Sequence, residues 1–298
     1  MDLMEIFFIS LGAVVVLYHV VKLVLFSRIL FPKLWFPLSK SFFTSMGEWA
    51  GKQCVCLAER GMNVVIMSRT RERLDLVAKE IGKRAYFLVS FSNIEIEDQL
   101  KDLDIGILVN NVGVLPGVVP SRYLECENLD QVSDSSAMCK IILPGMEKRG
   151  KGLIVNISSG IATVPFPYYS LYAASKIFVE RVSQGLQAEY KDKGIIIQAV
   201  APFGVSTRMV SYQKTNIVTL SAENFVKSSL QYIRAGDRTN GSICHSILGW
   251  ILQHIPLKIF YAECVLHSLQ SYIKNQLKKS QPPKSSRSTA ALENQTYL

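Results

Sequence analysis

Five short, nearly continuous apolar runs separated by stretches of helical character restrict this 298-residue chain to a few folds. They are residues 63–67 (NVVIM), 85–89 (AYFLV), 105–109 (IGILV), 153–157 (LIVNI) and 195–200 (IIIQAV). A strand covered on both faces has no reason to alternate polar and apolar residues, so these runs mark buried parallel strands. After the first run, Thr70 can cap a helix, Leu74, Val77, Ala78 and Ile81 share one of its faces, and Gly82 can end it. Strand and helix repeated in this order predict an α/β fold built on a doubly wound parallel sheet.

A mean hydropathy of +0.21 is high for a chain that buries its apolar residues only against itself. The excess begins at residues 6–26 (IFFISLGAVVVLYHVVKLVLF), an otherwise uncharged run broken only by His19 and Lys22. That length suits a bilayer core, and Lys22 lies close enough to one end to carry its ammonium to the headgroups. Asp2 and Glu5 precede the run where a cleaved signal would be basic, so a retained anchor is expected. Arg28, Lys33 and Lys40 follow it, which by the positive-inside rule leaves the rest of the chain in the cytosol. The net charge of +9 suits an anionic membrane surface, and no nucleic-acid-binding motif accompanies it. Six cysteines lack zinc spacing, so reduced thiols and no metal are expected.

Chemistry is concentrated in two segments. Tyr172 and Lys176 stand four residues apart, on one face of a helix, where an ammonium can favour the phenolate. Asn156-Ile157-Ser158-Ser159-Gly160 closes the fourth apolar run, and Ser159 lies 13 residues before Tyr172. A serine hydroxyl at a strand end can polarise a carbonyl while a phenol supplies the proton.

Together these segments resemble the active site of the short-chain dehydrogenases/reductases, and the likeness extends over most of the chain. Asn110-Asn111-Val112-Gly113 is similar to that family's turn after the fourth strand. Pro202 to Thr207 is similar to its segment beside the nicotinamide, with Phe203 where a glycine is usual. Residues 41–49 (SFFTSMGEW), 105–116 (IGILVNNVGVLP) and 152–162 (GLIVNISSGIA) resemble the membrane-bound 17β-hydroxysteroid dehydrogenases, the testosterone-forming ones most closely. The resemblance implies Ser159, Tyr172 and Lys176 as catalytic residues. It also implies a Rossmann-like cofactor site at Gly51, Ser68, Arg69, Asn110, Val112, Gly113, Tyr172, Lys176, Pro202, Val205 and Thr207. Arg69 ends the first apolar run, where arginine suits a 2′-phosphate and a carboxylate would suit NAD, so NADP(H) is expected. The implied reaction is reduction of a 17-ketosteroid, such as androstenedione to testosterone, at the endoplasmic reticulum. A 3-ketoacyl-CoA reductase is the alternative enzyme.

One part of the pattern is missing. A Rossmann-like site needs a first strand running into a Gly-x-x-x-Gly-x-Gly turn, whose amides meet the pyrophosphate. Here Trp49-Ala50 runs directly into residues 51–61 (GKQCVCLAERG), which resemble the following helix with the last loop glycine. The shortfall is about ten residues, and the lost strand is central in such a sheet. Ser90 also replaces the family's aspartate for the adenine, and no asparagine stands at Gln131, where a fourth catalytic residue is expected; Asn128 lies nearby in a different context. A second function class therefore stands beside the enzyme: an impaired relative or splice form that binds steroid or lipid without turnover.

The expected organisation is an anchor at 1–30 and an α/β domain at 31–240. Apolar helices on the substrate site or the membrane surface follow at 241–277, then a basic tail at 278–298 too poor in apolar residues to order itself. A homodimer through the Tyr172 helix is a further expectation from the family.

Overall fold

The N-terminal apolar run forms one helix, α1 (Leu3–Leu30). Its window Met4–Arg28 is 25 residues long, and none of that window is buried. At a rise of about 1.5 Å per residue this exceeds the hydrocarbon thickness of a bilayer. The Ser10 and Ser27 hydroxyls donate to the Phe7 and Val24 carbonyls at 2.8 and 2.7 Å, so neither needs water. This computed structural model describes residues 2–31, 64–67, 75, 79, 85–88, 93–100, 103–111, 134–207, 210 and 212–280.

The five apolar runs form strands close to their expected bounds. β1 (Val64–Met67) and β2 (Ala85–Leu88) pair in parallel. β3 (Ile107–Asn110), β4 (Gly152–Ile157) and β5 (Ile195–Val200) pair in parallel in that order. β3 starts two residues after the start of the run at 105–109; just before it the Ile105 carbonyl accepts from Arg149 and the Gly106 carbonyl from Leu153 N. Beyond them β6 (Val205–Ser206) pairs with β7 (Leu220–Ser221), and β8 (Arg238–Thr239) joins the outer edge of β5.

Helices cover both faces. α2 (Asn93–Leu100), α3 (Asp134–Arg149) and α4 (Ser170–Tyr190) alternate with these strands. α5 (Ala222–Ser229), α6 (Ile243–His254), α7 (Leu257–Phe260) and α8 (Glu263–Ser280) complete the described chain. Ser221 and Ser242 cap α5 and α6, accepting from Asn224 N and His245 N, both at 3.2 Å. Pro256, with no N–H to continue a helix, separates α6 from α7. Alternate residues of β4 feed two cores: Leu153, Val155 and Ile157 meet α5, while Ile154 meets Met138, Ile142 and Met146 of α3.

Among the described residues no ladder joins β1 to β3. Yet β1 lies level with the larger sheet, since Val64 and Ile66 share a core with Ile107 and Val109, and Val65 shares the other with Leu108. The split falls where the sequence lacks its first strand. Residues 46–51, the helix predicted at 70–82 except for helical Asp75 and Lys79, Ser90, Asn128 and Gln131 lie outside the described residues. So does most of the predicted tail, although α8 runs on to Ser280.

Candidate active site

The carboxyl end of β4 brings the chemical residues together. Pairing with β5 continues beyond both strands, through Ser158 N to the Val200 carbonyl at 2.8 Å and Gly160 N to the Pro202 carbonyl at 2.7 Å. Ser159 is thereby held beside the Pro202 segment. The close fit depends on Gly160, where an added Cβ would lie 2.5 Å from the Phe203 ring.

The two adjacent serines have different surroundings. Ser158 Oγ lies 3.0 Å from the Lys176 carbonyl and 2.9 Å from Glu180 Oε1, so its one proton is shared inside the fold. Glu180 in turn accepts from Arg238 Nε at 2.8 Å, and Arg238 donates to Thr163 Oγ1 at 2.9 Å. Ser159 instead caps the short 3-10 helix Gly160–Thr163 and lies in hydrogen-bond contact with the Tyr172 hydroxyl. Among the two, Ser159 faces the phenol.

Tyr172 stands on the first turn of α4, whose start follows Tyr168 in the left-handed region at φ 65°. Burial raises the Tyr172 pKa, and the Ser159 contact offsets part of the rise. Lys176 is also buried, donates from Nζ to the Ile157 carbonyl at 3.0 Å, and lies 5.8 Å from the Tyr172 ring centre. The sequence spacing points to a lysine favouring the phenolate; burial instead favours the protonated phenol, and Lys176 Nζ donates to the strand end. That is the form needed to give a proton to a carbonyl oxygen.

Burial pulls Lys176 from 10.5 to about 8, and pushes neighbouring Tyr169 from 10.0 up to about 12, with Tyr172 contributing. Between pH 8 and 10.5 the unfolded chain retains the lysine proton that the folded chain has lost, so stability rises with pH. Between pH 10 and 12 the tyrosine ionises first in the unfolded chain, so stability falls. Thermal unfolding in detergent should therefore show a stability maximum near pH 10. In Lys176→Met the rising limb should vanish and the falling limb remain; an unchanged rise would exclude Lys176 as its source.

Other predicted cofactor residues are partly in place. Asn110 is buried at the end of β3 and donates from Nδ2 to Asn156 Oδ1 at 2.8 Å, with Asn156 Nδ2 donating to Ser183 at 2.8 Å. It braces the sheet next to the site. Pro202 follows β5 and is held next to Ser159 by the bond from Gly160 N, while Val205 starts β6, paired with Leu220, and Thr207 follows it. Gly51, Ser68, Arg69, Val112 and Gly113 lie outside the described residues.

Sequence reasoning missed His245, Glu180 and Arg238. His245 is fully buried, accepts at Nδ1 from Phe203 N at 3.4 Å, and so donates from Nε2 to the Val218 carbonyl at 2.8 Å. Burial lowers its pKa, which keeps it neutral and able to pin the Pro202 segment to α6. It stands 42 residues from Phe203, and no local pattern announces the contact. A cleft of about 570 Å³ lies between residues 162–167, Tyr261 and the α4 face bearing Ser170, Ala174 and Ile177. Those positions are roughly opposite Tyr172 at 3.6 residues per turn, so the cleft backs the site.

A parallel sheet with a serine at a strand end and Tyr-x-x-x-Lys on the next helix defines a carbonyl-reducing oxidoreductase. The short chain dehydrogenase family matches residues 50–217, and the chain belongs to that family. It is 46% identical to 17-beta-hydroxysteroid dehydrogenase type 3 of Danio rerio, across 92% of this chain and 99% of that protein. It is 36% identical to the very-long-chain 3-oxoacyl-CoA reductase of Homo sapiens, across 79% of this chain and 84% of that protein. A solved short-chain dehydrogenase from Sphingobium yanoikuyae in complex with NADPH is 25% identical, with a TM-score of 0.54 over 61% of this chain and 79% of that one.

Proposed function

We propose that this chain is an NADPH-dependent 17β-hydroxysteroid dehydrogenase that reduces a lipophilic ketosteroid, held in the endoplasmic reticulum membrane by α1 and facing the cytosol. The contact between Ser159 and Tyr172 at the end of β4, with Lys176 one turn along α4, carries the reading. The type 3 relative directs it to a 17-ketosteroid, and its higher identity favours this over a 3-oxoacyl thioester, 46% against 36%.

The described donors fit the nicotinamide end of a dinucleotide: a buried ammonium and a phenol on one helix face, beside the Pro202 to Thr207 segment. Tyr172 and Lys176 would hold the ribose, and Val205 and Thr207 would border the ring. When bound, the nicotinamide supplies a hydride to the substrate carbonyl carbon. Ser159 donates a hydrogen bond to the carbonyl oxygen and orients it towards Tyr172. The Tyr172 hydroxyl gives its proton to that oxygen as negative charge develops there. Lys176 lies close enough to stabilise the phenolate left behind. Arg69, in a position suited to a 2′-phosphate, supports NADP(H) over NAD.

The missing glycine turn between Ala50 and Gly51 favours one second reading, a membrane-held steroid or lipid binder without a pyrophosphate cradle. Titrating the full chain in detergent with NADPH separates the two. The reductase reading expects saturable binding, weaker for NADH. Absence of saturation at millimolar NADPH, with a ketosteroid still bound, would establish the binder instead.

A further inference from the structure

α6 has two unlike sides. His245, Ser246 and Gly249 are buried against the domain. Ile243, Ile247, Trp250 and Ile251 are 49%, 41%, 47% and 42% exposed. At 3.6 residues per turn these four fall within about 100° of one another, so they form one apolar stripe along the outer side of the helix. Leu257, Ile259 and Tyr261 continue it beyond Pro256, with 41%, 54% and 43% of their surfaces exposed. No aspartate or glutamate occurs between Asp237 and Glu263, while Lys258 is exposed among the apolar residues. An exposed stripe of this extent would be an association hazard in water.

The stripe adjoins α1. The Phe26 ring, near the domain end of the apolar window Met4–Arg28, lies 5.6 Å from the Trp250 ring. The outer side of α6 therefore begins where α1 leaves its apolar stretch. Trp250 and Tyr261 are also residue types that settle at the boundary between acyl chains and headgroups.

We propose that α6 and α7 lie in the surface of the same bilayer that α1 crosses, with Ile243, Ile247, Trp250 and Ile251 inserted among the upper acyl chains. The inference rests on α1 being a membrane anchor and adds a second, surface attachment that fixes the domain's orientation. Its occupant is phospholipid, because the bilayer around Phe26 already reaches Trp250 and the only charge within the α6–α7 face is the Lys258 ammonium. The Phe166 ring, in the loop before α4, lies 6.2 Å from the Phe260 ring of α7, so this attachment is coupled to the segment that presents Tyr172. The cleft behind α4, bordered by residues 162–167 and Tyr261, thereby lies on the lipid side of the domain.

The test places the photoprobe p-benzoyl-phenylalanine singly at Ile247, Ile251, Val15 or Asp192 of the full chain. Each protein is reconstituted in phosphatidylcholine–phosphatidylserine vesicles and illuminated. Asp192 is exposed at the opposite end of β5 and serves as the aqueous reference. Phospholipid adducts at Ile247 and Ile251 should exceed those at Asp192 by about fivefold or more, approaching the yield at Val15. Adducts joining two copies of the chain from Ile247 or Ile251 would overturn the proposal in favour of a dimer face. Lipid yields equal to that at Asp192 would overturn it outright. Lack of lipid adducts at Val15 would remove the anchor reading itself, whereas labelling at Val15 alone would leave that reading standing and refute only the surface attachment. Two α6 positions are probed so that a local packing disturbance at one does not decide the outcome.

Discussion

Replacing Tyr172 by phenylalanine should lower ketosteroid reduction with NADPH by about 10²–10⁴-fold, the range that one positioned acid contributes. The substitution removes a single oxygen and leaves the ring in place on α4, so folding should be retained. Cofactor affinity should fall far less than turnover, since one ribose contact is lost while Lys176 and the Pro202 segment remain. Tyr169 is the natural control. Burial and the nearby Tyr172 raise its pKa to about 12, so its phenol stays protonated at neutral pH. Tyr169→Phe should keep activity within about threefold if Tyr172 alone delivers the proton. The measurement is steady-state turnover in microsomes, with NADPH binding measured on the same preparations. Full activity in Tyr172→Phe together with loss in Tyr169→Phe would move the proton donor to the other tyrosine.

The second large effect is expected at Glu180, one turn beyond Lys176 on α4 and bonded to Ser158. Glu180 is 3% exposed, and its partner Arg238 retains 18% of its side-chain surface. Glu180→Ala leaves that guanidinium largely buried without its carboxylate and frees Ser158 from one of its two acceptors. A loss of about 3–5 kcal/mol is expected, read as a lower midpoint in chemical unfolding. Most of it should be the penalty of an uncompensated buried charge rather than the net attraction of the pair. The double variant Glu180→Leu with Arg238→Met should therefore recover much of the loss. A single-variant effect below about 1 kcal/mol would show the pair to be dispensable. Activity should decline with stability, since Ser158 and Thr163 flank Ser159 and both are tied to this pair.

Local pattern was enough for much of the frame. An apolar run covered on both faces reads the same in sequence as in the sheet, which is why β5 has the predicted bounds and β1, β2 and β4 differ by one residue. Distances along one helix are equally direct, and Tyr172 and Lys176 share the buried face of α4. Glu180 sits on that helix too, one turn beyond Lys176, but the spacing does not show what it pairs with. Its partner Arg238 is 58 residues away, and Thr163 is 75 residues from Arg238. Burial raises the Tyr172 pKa, an effect of packing that spacing along one helix does not show.

The missing first strand shows the division most clearly. From the sequence alone came the α/β class, the apolar N-terminal helix, the proximity in sequence of Ser159, Tyr172 and Lys176, and the absence of a glycine turn between Ala50 and Gly51. These are properties of spacing and composition over short stretches, where the chain's own geometry leaves little choice. The tertiary structure decided which serine faces the phenol, how His245 pins the Pro202 segment, and that β1 shares both cores with the larger sheet although, among the described residues, no ladder joins it to β3. Those outcomes depend on burial and on pairings between distant residues, which become defined only when the two cores close around the strands.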